Sequence, residues 1–175
     1  MLLVLVMIDW NKEGRRLRIN HDITRLYECH ADTVYRVCFL FLRGRVMDIE
    51  DALQMTFVKL LQDSKRFRDV EHEKAWLIVT ASNVCRDMLR SAWKRRVNVH
   101  SELAEASAAS LDIDETAQCV MALPPPVKTA VYMFYYEGYS AREIGQALGK
   151  SENSIWGYLH KGRALLKDML EEEGL

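Results

Sequence analysis

The sequence predicts an all-α protein made of two small helical domains joined by a flexible linker. Over most of the chain, apolar residues recur at spacings of three and four, as on the buried stripe of an amphipathic helix. Beyond residue 9, no stretch alternates with period two for long enough to indicate a strand. The segment 97–112 is small, polar and acidic, which is typical of a linker. One more exposed helix remains an alternative there, because Ala and Glu favour helices.

Breaks in the apolar pattern set the order of the helices. Arg43-Gly44-Arg45 interrupts the first periodic stretch, and 63–73 is polar and irregular. Leu123-Pro124-Pro125-Pro126 ends one helix and starts the next, since proline is tolerated in a first turn. We expect helices at about 23–42, 48–61, 73–95, from 113, 126–137, 140–148 and 151–170. The expected organisation is an unassigned extension over 1–21, a first domain over 22–96, the linker over 97–112 and a second domain over 113–175.

Charge is strongly segregated, although the 175 residues sum to a formal net charge of −1. With 49% hydrophobic and 28% charged residues, the composition is neither disordered nor histone-like. Residues 86–96 carry five cationic side chains against the single acid Asp87. Residues 97–127 contain five acids and neither Lys nor Arg. A basic block beside an acidic one suggests a site for an anionic partner followed by a spacer.

Several functional classes are not indicated. The four cysteines have no CxxC spacing and lie in apolar stretches, so we expect reduced core thiols at Cys29, Cys38, Cys85 and Cys119. We expect no metal site and no cofactor. The sequence holds no HExxH, P-loop or nucleophile elbow, and we expect no enzymatic activity.

The N-terminus begins with a wholly apolar run over residues 1–8. This run is too short to span a bilayer, which takes about 20 residues. It has no basic segment before it and no small-residue cleavage site after it, so we expect neither a signal peptide nor membrane insertion. A strand-like extension, a disordered one and an incorrect start site all remain open, and we assign the run no function.

The third expected helix has two different faces. Its core stripe is formed by Leu77, Ala81, Val84, Cys85, Met88 and Ala92. The opposite face carries an indole, an amide and cations, at Trp76, Asn83, Arg86, Arg90 and Lys94. These groups suit single-stranded nucleic acid, because cations neutralise phosphate, aromatic rings stack on unpaired bases and amides read base edges. A solvated face with Trp76 packed on a neighbouring helix is the alternative.

The segment from Gly138 to Ile155 is typical of a helix-turn-helix. Ser140 and Glu143 have the spacing of a capping box, and Gly149 suits the positive-φ turn that ends a helix. Ser151 is placed to cap the next helix, whose inner side is formed by Ile155, Leu159, Leu166 and Met169. Its outward side carries Asn153, Trp156, His160, Arg163 and Lys167, of which Asn and Arg suit base or phosphate contacts. A helical hairpin used only in packing is the alternative.

Several motifs in a fixed order then point to one family. Leu26-Tyr27 through Tyr35 is similar to an opening helix of sigma region 2. The stretch Asp48-Ile49-Glu50-Asp51-Ala52-Leu53-Gln54-Met55-Thr56-Phe57 looks like the D-x-E-D-x-x-Q-x-x-F motif. The segment 75–90 is similar to the part that handles a melted −10 element, and Leu123-Pro124-Pro125 with 138–163 is similar to region 4. From about residue 22 to 170 the chain resembles an extracytoplasmic-function (ECF) sigma factor of the bacterial sigma-70 family.

The resemblance implies a transcription initiation factor with three contact surfaces. It implies docking on the clamp helices of the β′ subunit of RNA polymerase by Asp48, Glu50, Asp51, Gln54 and Phe57. It implies −10 binding by Trp76, Asn83, Arg86, Arg90 and Lys94. It implies −35 binding by Arg142, Ser151, Asn153, Ser154, Trp156, His160, Lys161 and Arg163. It further implies contact with the β flap, a linker near the RNA exit path, an anti-sigma partner and a cytoplasmic location.

Two features of the second helix of the helix-turn-helix depart from the family pattern. Trp156 and Tyr158 occupy positions where the family usually has cations, and Gly157 lowers helix stability by up to ~1 kcal/mol. Fewer phosphate contacts predict weaker, less salt-dependent −35 binding. Two other functions remain open: a stand-alone helix-turn-helix regulator, and a degenerate sigma-like protein acting through protein contacts alone.

Overall fold

The computed structural model describes residues 21–43, 45–63, 67–98 and 115–172, and its regular structure there is entirely helical. The all-α prediction is therefore confirmed. The helices are α1 (His21–Leu42), α2 (Val46–Gln62), α3 (Val70–Asn98), α4 (Glu115–Ala122), α5 (Pro125–Val131), a π-helical turn (Tyr132–Tyr136), α6 (Ala141–Leu148) and α7 (Glu152–Glu172). Of the extension expected over 1–21, residues 1–20 lie outside the described residues, and His21 begins α1. Of the linker expected over 97–112, residues 97 and 98 end α3, and the rest lies outside the described residues.

Helices α1, α2 and α3 pack on one another as an N-terminal bundle. Its core is built from the apolar stripes of all three helices, including Val34, Val37, Cys38, Ile49, Ala52, Leu77, Ile78, Ala81, Val84 and Cys85. The stripe predicted for the third helix is confirmed at Leu77, Ala81, Val84 and Cys85, while Met88 packs only partly buried against the core. The prediction of four core thiols is wrong for Cys29, which is exposed. Cys38, Cys85 and Cys119 are buried.

The third helix begins earlier than the sequence pattern predicts. Asp69 Oδ1 accepts a hydrogen bond of 2.7 Å from the backbone N–H of His72, which satisfies a donor of the first turn. The helix therefore starts at Val70 instead of residue 73.

Helices α4 to α7 form a C-terminal bundle whose centre is the predicted helix-turn-helix. Ser140 Oγ accepts from the Glu143 N–H, and Glu143 Oε2 accepts from the Ser140 N–H at 2.8 Å, so the capping box is confirmed. The Ser140 hydroxyl also donates to Glu143 Oε2 at 2.7 Å, and this bond, together with the one from the Ser140 backbone N–H, lowers the pKa of Glu143. Gly149 has φ of 63°, as the turn requires. The helix predicted over 126–137 is α-helical only to Val131 and continues as the π-helical turn.

Two helical glycines fix how closely the helices of this bundle approach. A Cβ on Gly162 would lie 2.6 Å from Val131 Cγ2, and one on Gly145 would lie 2.8 Å from the backbone oxygen of Lys150. The first glycine lets α7 lie against α5, and the second lets the chain turn sharply after α6. In the described ranges, no helix is long and apolar enough to cross a membrane.

Candidate nucleic-acid and polymerase interfaces

A cleft of about 560 Å³ opens between the C-terminal end of α2 and the middle of α3. Its walls combine an indole, two side-chain amides, a hydroxyl, a cation and a carboxylate: Trp76, Asn83, Gln62, Thr80, Lys59 and Asp63. Trp76, Thr80 and Asn83 follow one another at spacings of four and three, which places them on one face of α3. The cleft therefore offers a stacking surface and several hydrogen-bonding groups side by side.

Internal contacts hold the polar and aromatic groups of this cleft in place. The Trp76 ring lies 5.7 Å from the Phe67 ring, and Trp76 is only partly exposed. Arg86 Nη2 donates to Asn83 Oδ1 at 2.6 Å. Because a guanidinium has only donors, the Asn83 oxygen must face Arg86, and its NH₂ group remains the donor for an external acceptor.

The five residues predicted for −10 binding are therefore not equivalent. Trp76 and Asn83 line the cleft, whereas Arg86 lies behind Asn83 and is partly buried. Arg90 is exposed. The side chain of Lys94 lies outside the described residues. The structure brings two of the five into the cleft and gives a third the role of positioning one of them.

Sequence reasoning missed the part of the cleft that α2 contributes. Lys59 and Gln62 of α2 and Asp63 directly after it line this part, but none was a candidate, and Thr80 of α3 was not one either. Lys59 is the sequence feature that could have indicated a nucleic-acid contact on α2. It is a cation near the end of a helix whose polar residues are otherwise mostly acids and amides.

The outward face of α2 mixes acidic and apolar side chains. Glu50 and Asp51 are exposed, Gln54 is partly exposed, and Asp48 pairs with Arg45 Nε at 3.0 Å. The burial of Phe57 does not fit the prediction that it contacts polymerase, because Phe57 is 2% exposed and its ring lies 5.0 Å from the Tyr27 ring. Its place on the apolar stripe of α2 turns it inward, so it supports the helix instead of contacting a partner. Sequence reasoning also missed the exposed apolar members of this face, Met47, Met55 and Val58.

The outward face of α7 presents its polar side chains to solvent. Asn153, His160, Lys161 and Arg163 are exposed, as is Arg142 on α6. Ser151 and Ser154 have a local task, because Ser151 Oγ accepts from the Ser154 N–H at 3.2 Å and lies 2.8 Å from Ser154 Oγ. Trp156 is 44% exposed, packs edge-on against Phe134 and donates its indole N–H to Glu152 Oε1 at 3.4 Å.

Family models match both bundles. The model for sigma-70 region 2 matches residues 26–95, and the model for sigma-70 region 4 matches residues 113–166. Neither alternative function is favoured. A stand-alone helix-turn-helix regulator does not account for the match to region 2. A degenerate sigma-like protein is not favoured because the relatives that match most of the chain are named as sigma factors.

Curated relatives extend the likeness along most of the chain. The ECF RNA polymerase sigma factor SigL of Mycobacterium tuberculosis is 30% identical over 159 residues, which cover 86% of this chain and 89% of SigL. SigE of Mycolicibacterium smegmatis is 30% identical over 153 residues, which cover 81% of this chain but only 58% of SigE. SigW of Bacillus subtilis is 25% identical over 169 residues, covering 86% of this chain and 88% of SigW.

Solved structures share the fold. The sigma factor RpoE, crystallised with the anti-sigma factor NepR from Bartonella quintana, matches with a TM-score of 0.68 at 18% identity. That match covers 87% of this chain and 98% of RpoE. CnrH, solved with the cytosolic domain of CnrY, matches with a TM-score of 0.60 at 22% identity over 89% of this chain and 92% of CnrH. The chain belongs to the ECF RNA polymerase sigma factors of the sigma-70 family.

Proposed function

We propose that this sigma factor divides its work in transcription initiation among three surfaces. The outward face of α2 docks on core RNA polymerase, the cleft between α2 and α3 holds an unpaired base of the −10 element, and α7 enters the major groove at the −35 element. The cleft is the observation that carries this assignment. The chain has no catalytic role of its own in this scheme, since it supplies binding energy and polymerase supplies the chemistry.

The assignment of α2 to polymerase rests on its mixture of apolar and acidic groups. Met47 is 79% exposed, and Asp51, Gln54 and Val58 follow it at spacings of three and four along the same face. Contiguous exposed apolar side chains mark surfaces that bind proteins, membranes or apolar ligands. Carboxylates at Glu50 and Asp51 repel phosphate but suit basic side chains on a protein partner. This face therefore favours a basic protein surface, such as the clamp helices of β′.

The assignment of the cleft to an unpaired base rests on its contents. An indole supports stacking, which contributes ~1–3 kcal/mol per base. The Asn83 NH₂ group donates to an acceptor on a base edge, and Lys59 at the rim attracts the backbone phosphate. A base inside a duplex cannot reach this cleft, so binding favours the strand-separated state and shifts the melting equilibrium.

The assignment of α7 to duplex DNA rests on its exposure and position. It is the second helix of a helix-turn-helix, and such helices read the major groove from their N-terminal part. Asn153 and Arg163 suit base and phosphate contacts, while the Trp156 ring offers apolar contact to a thymine methyl group. The Ser151–Ser154 cap holds the first turn of α7 in place and leaves these contacts to the exposed residues.

The proposed partners place the protein in the bacterial cytoplasm, where polymerase and chromosomal DNA are found. An anti-sigma factor is a further proposed partner, because the solved neighbour RpoE is a sigma factor crystallised with an anti-sigma factor. The second neighbour, CnrH, was likewise solved with another chain, the cytosolic domain of CnrY.

Transcription with purified components tests the proposal. Added to core polymerase, the protein should produce promoter-dependent transcripts from a randomised promoter library. The double variant Glu50→Lys with Asp51→Lys should lose polymerase binding in a pull-down and transcription with it. Glu28→Lys with Asp32→Lys is the matched control, since it reverses two exposed acids on α1 outside the proposed contact face. Equal binding by both double variants would refute the assignment of α2.

A further inference from the structure

The outward face of α2 exposes an apolar stripe along the length of the helix. The opposite side of α2 packs on α1 and α3, whereas Met47 is 79% exposed, Met55 46% and Val58 36%. Met47, Asp51, Gln54 and Val58 follow one another at spacings of four, three and four, so they form one row on the helix surface. A row of this kind can pack against a second extended or helical segment.

The charge on this face is entirely negative. Residues 46–58 contain Asp48, Glu50 and Asp51 but neither Lys nor Arg. Glu50 and Asp51 are exposed, while Asp48 pairs with Arg45. A ligand that fits this face therefore has to combine apolar side chains with cations.

The first twenty residues of the chain have this composition. Residues 1–8 are wholly apolar, and residues 10–20 carry four cations against one acid, a net charge of +3. The four cations are Lys12, Arg15, Arg16 and Arg18. The segment 1–20 lies outside the described residues, and the three surfaces proposed for transcription leave it without a task. Its sequence supplies both properties that the α2 face requires.

The start of α1, where this segment joins the fold, lies beside the far end of α2. The Tyr27 ring is 36% exposed and lies 5.0 Å from the Phe57 ring. At the other end, the Arg45 N–H donates to the Leu42 oxygen at 3.3 Å, which closes a tight turn between the two helices. The helices therefore run antiparallel, and His21 is level with the last turn of α2.

The segment is long enough to cover the whole row. From Gln62 back to Met47, α2 measures ~22 Å at ~1.5 Å per residue. Twenty residues span ~30 Å as a helix and at most ~66 Å when extended. The cations stand nearest to α1 in the sequence, which brings them within reach of Asp51, ~16 Å from the end of α2. The apolar run stands farther out, within reach of Met47.

We propose that residues 1–20 lie along the outward face of α2 in the free sigma factor, and that core polymerase has to displace them. The cations pair with Glu50 and Asp51, and the apolar run covers Met47 and Val58. This inference rests on the proposed function for the role of the face, but the docking itself is measurable on the protein alone. A segment that covers the face in about nine of ten molecules lowers the apparent affinity for polymerase about tenfold.

The reactivity of an introduced thiol measures the docking. Gln54→Cys places a thiol in the row, and Cys29→Ser removes the exposed native thiol, while the other three cysteines are buried. Arg15→Glu with Arg16→Glu should raise the alkylation rate of the introduced thiol about tenfold, because it replaces attraction with repulsion. Glu28→Cys, on α1 outside this face, is the matched control site and should show no change in rate. An unchanged rate at both sites would overturn the proposal.

Exchange of charge makes the test specific. Glu50→Lys with Asp51→Lys should expose the same thiol as much as Arg15→Glu with Arg16→Glu does. The fourfold variant should protect it again, because opposite charges then face each other with their places exchanged. Exposure in the fourfold variant as high as in either double variant would contradict the pairing.

Two other occupants of this face or of the segment are separate outcomes. Protection that is lost on dilution would assign the face to a second copy of the chain and overturn the proposal. An unprotected thiol, together with binding of the protein to vesicles that contain phosphatidylserine, would assign the segment to a lipid surface and overturn it as well.

The affinity for core polymerase gives a second readout. Arg15→Glu with Arg16→Glu should bind core polymerase about tenfold more tightly, with unchanged helical content by circular dichroism. Lys150→Glu with Lys167→Glu, which reverses two exposed cations of the C-terminal bundle, is the matched control and should bind as the parent does. Protection of the thiol without any gain in polymerase affinity would overturn the competition. An unprotected thiol in a protein that still needs Glu50 and Asp51 for polymerase would overturn the docking of the segment and leave the assignment of α2 intact.

Discussion

The cleft of the N-terminal bundle and the outward face of α7 each carry a tryptophan and an asparagine, but they differ in how firmly internal contacts hold their polar side chains. In the cleft, Trp76 packs on Phe67 and Asn83 is oriented by Arg86. On α7, Asn153 and His160 are exposed, and their side chains make no hydrogen bond within the described part of the chain. The amide of the cleft is therefore oriented before any ligand arrives, whereas these two side chains of α7 are not, although Trp156 on the same face is held by Phe134 and Glu152.

The difference follows the state of the DNA that each surface is proposed to bind. An unpaired base is flexible, so a cleft that is already ordered limits the entropy lost when the base is fixed. A duplex is rigid by itself, and side chains on a capped helix need to order only on contact, at ~0.5–1.5 kcal/mol each. The comparison predicts that substitutions in the cleft affect strand opening most, and that substitutions on α7 affect duplex affinity and its salt dependence.

The largest effect is expected at the indole of the cleft. Trp76→Ala removes the stacking surface and should weaken binding of a single-stranded −10 oligonucleotide to the polymerase complex by ~1–3 kcal/mol, or roughly 5- to 150-fold. Binding of a −35 duplex should stay the same. Fluorescence anisotropy with each oligonucleotide measures both affinities.

Trp76→Phe is the control for this prediction, since it keeps a ring against Phe67 and should recover part of the affinity. Thermal unfolding of both variants measures how much stability is lost with the packing of Trp76 on Phe67. Equal losses of affinity for single-stranded and duplex DNA would show that the cleft does not distinguish the two states of DNA.

Two glycines on α7 lie in opposite surroundings, one against α5 and one facing open space. Gly162→Ala places a methyl group 2.6 Å from Val131 Cγ2 and should destabilise the protein by ~1–3 kcal/mol. Gly157 faces open space, so Gly157→Ala should stabilise the helix by up to ~1 kcal/mol. Urea unfolding measures both changes. Opposite signs are expected, and destabilisation by Gly157→Ala would show that the outward face is more tightly packed than we describe.

Local features were predictable from sequence, and contacts between helices were not. The capping box at Ser140 and Glu143 and the turn at Gly149 depend on residues at most a few positions apart, and both occur as predicted. Lys59 and Asn83 come together only because α2 packs on α3, which no local spacing specifies. Phe57 was assigned to a partner by its motif although the apolar periodicity of its helix turns it inward. The burial of Lys128 on α5 gave no signal in the sequence, because its partners are carbonyl groups of distant residues.

An intermediate effect is expected at the amide of the cleft. Asn83→Asp keeps the shape and the bond from Arg86 but replaces the outward NH₂ group with an acceptor. Loss of one donor should weaken binding of single-stranded −10 DNA by about tenfold. The loss should depend on which base is presented, so it is measured with four oligonucleotides that differ at one position. A uniform loss for all four would contradict base reading by Asn83, because repulsion between the new carboxylate and the phosphates weakens all four equally.

The smallest effect is expected on α7, where it appears in the salt dependence. Trp156→Lys restores a cation at a position where the family usually has one, and one added phosphate contact should steepen the slope of log affinity against log salt by ~0.9 for duplex DNA. Between 0.1 and 0.2 M salt this amounts to only about a twofold change in affinity, so the slope has to be measured over a wide salt range. Trp156→Gln is the uncharged control and should leave the slope unchanged, because it removes the ring without adding charge. Binding of single-stranded −10 DNA should respond to neither variant, since Trp156 packs on Phe134 in the C-terminal bundle and lies outside the cleft. An unchanged slope in Trp156→Lys would place this position away from the phosphates and leave the indole as an apolar contact to the bases.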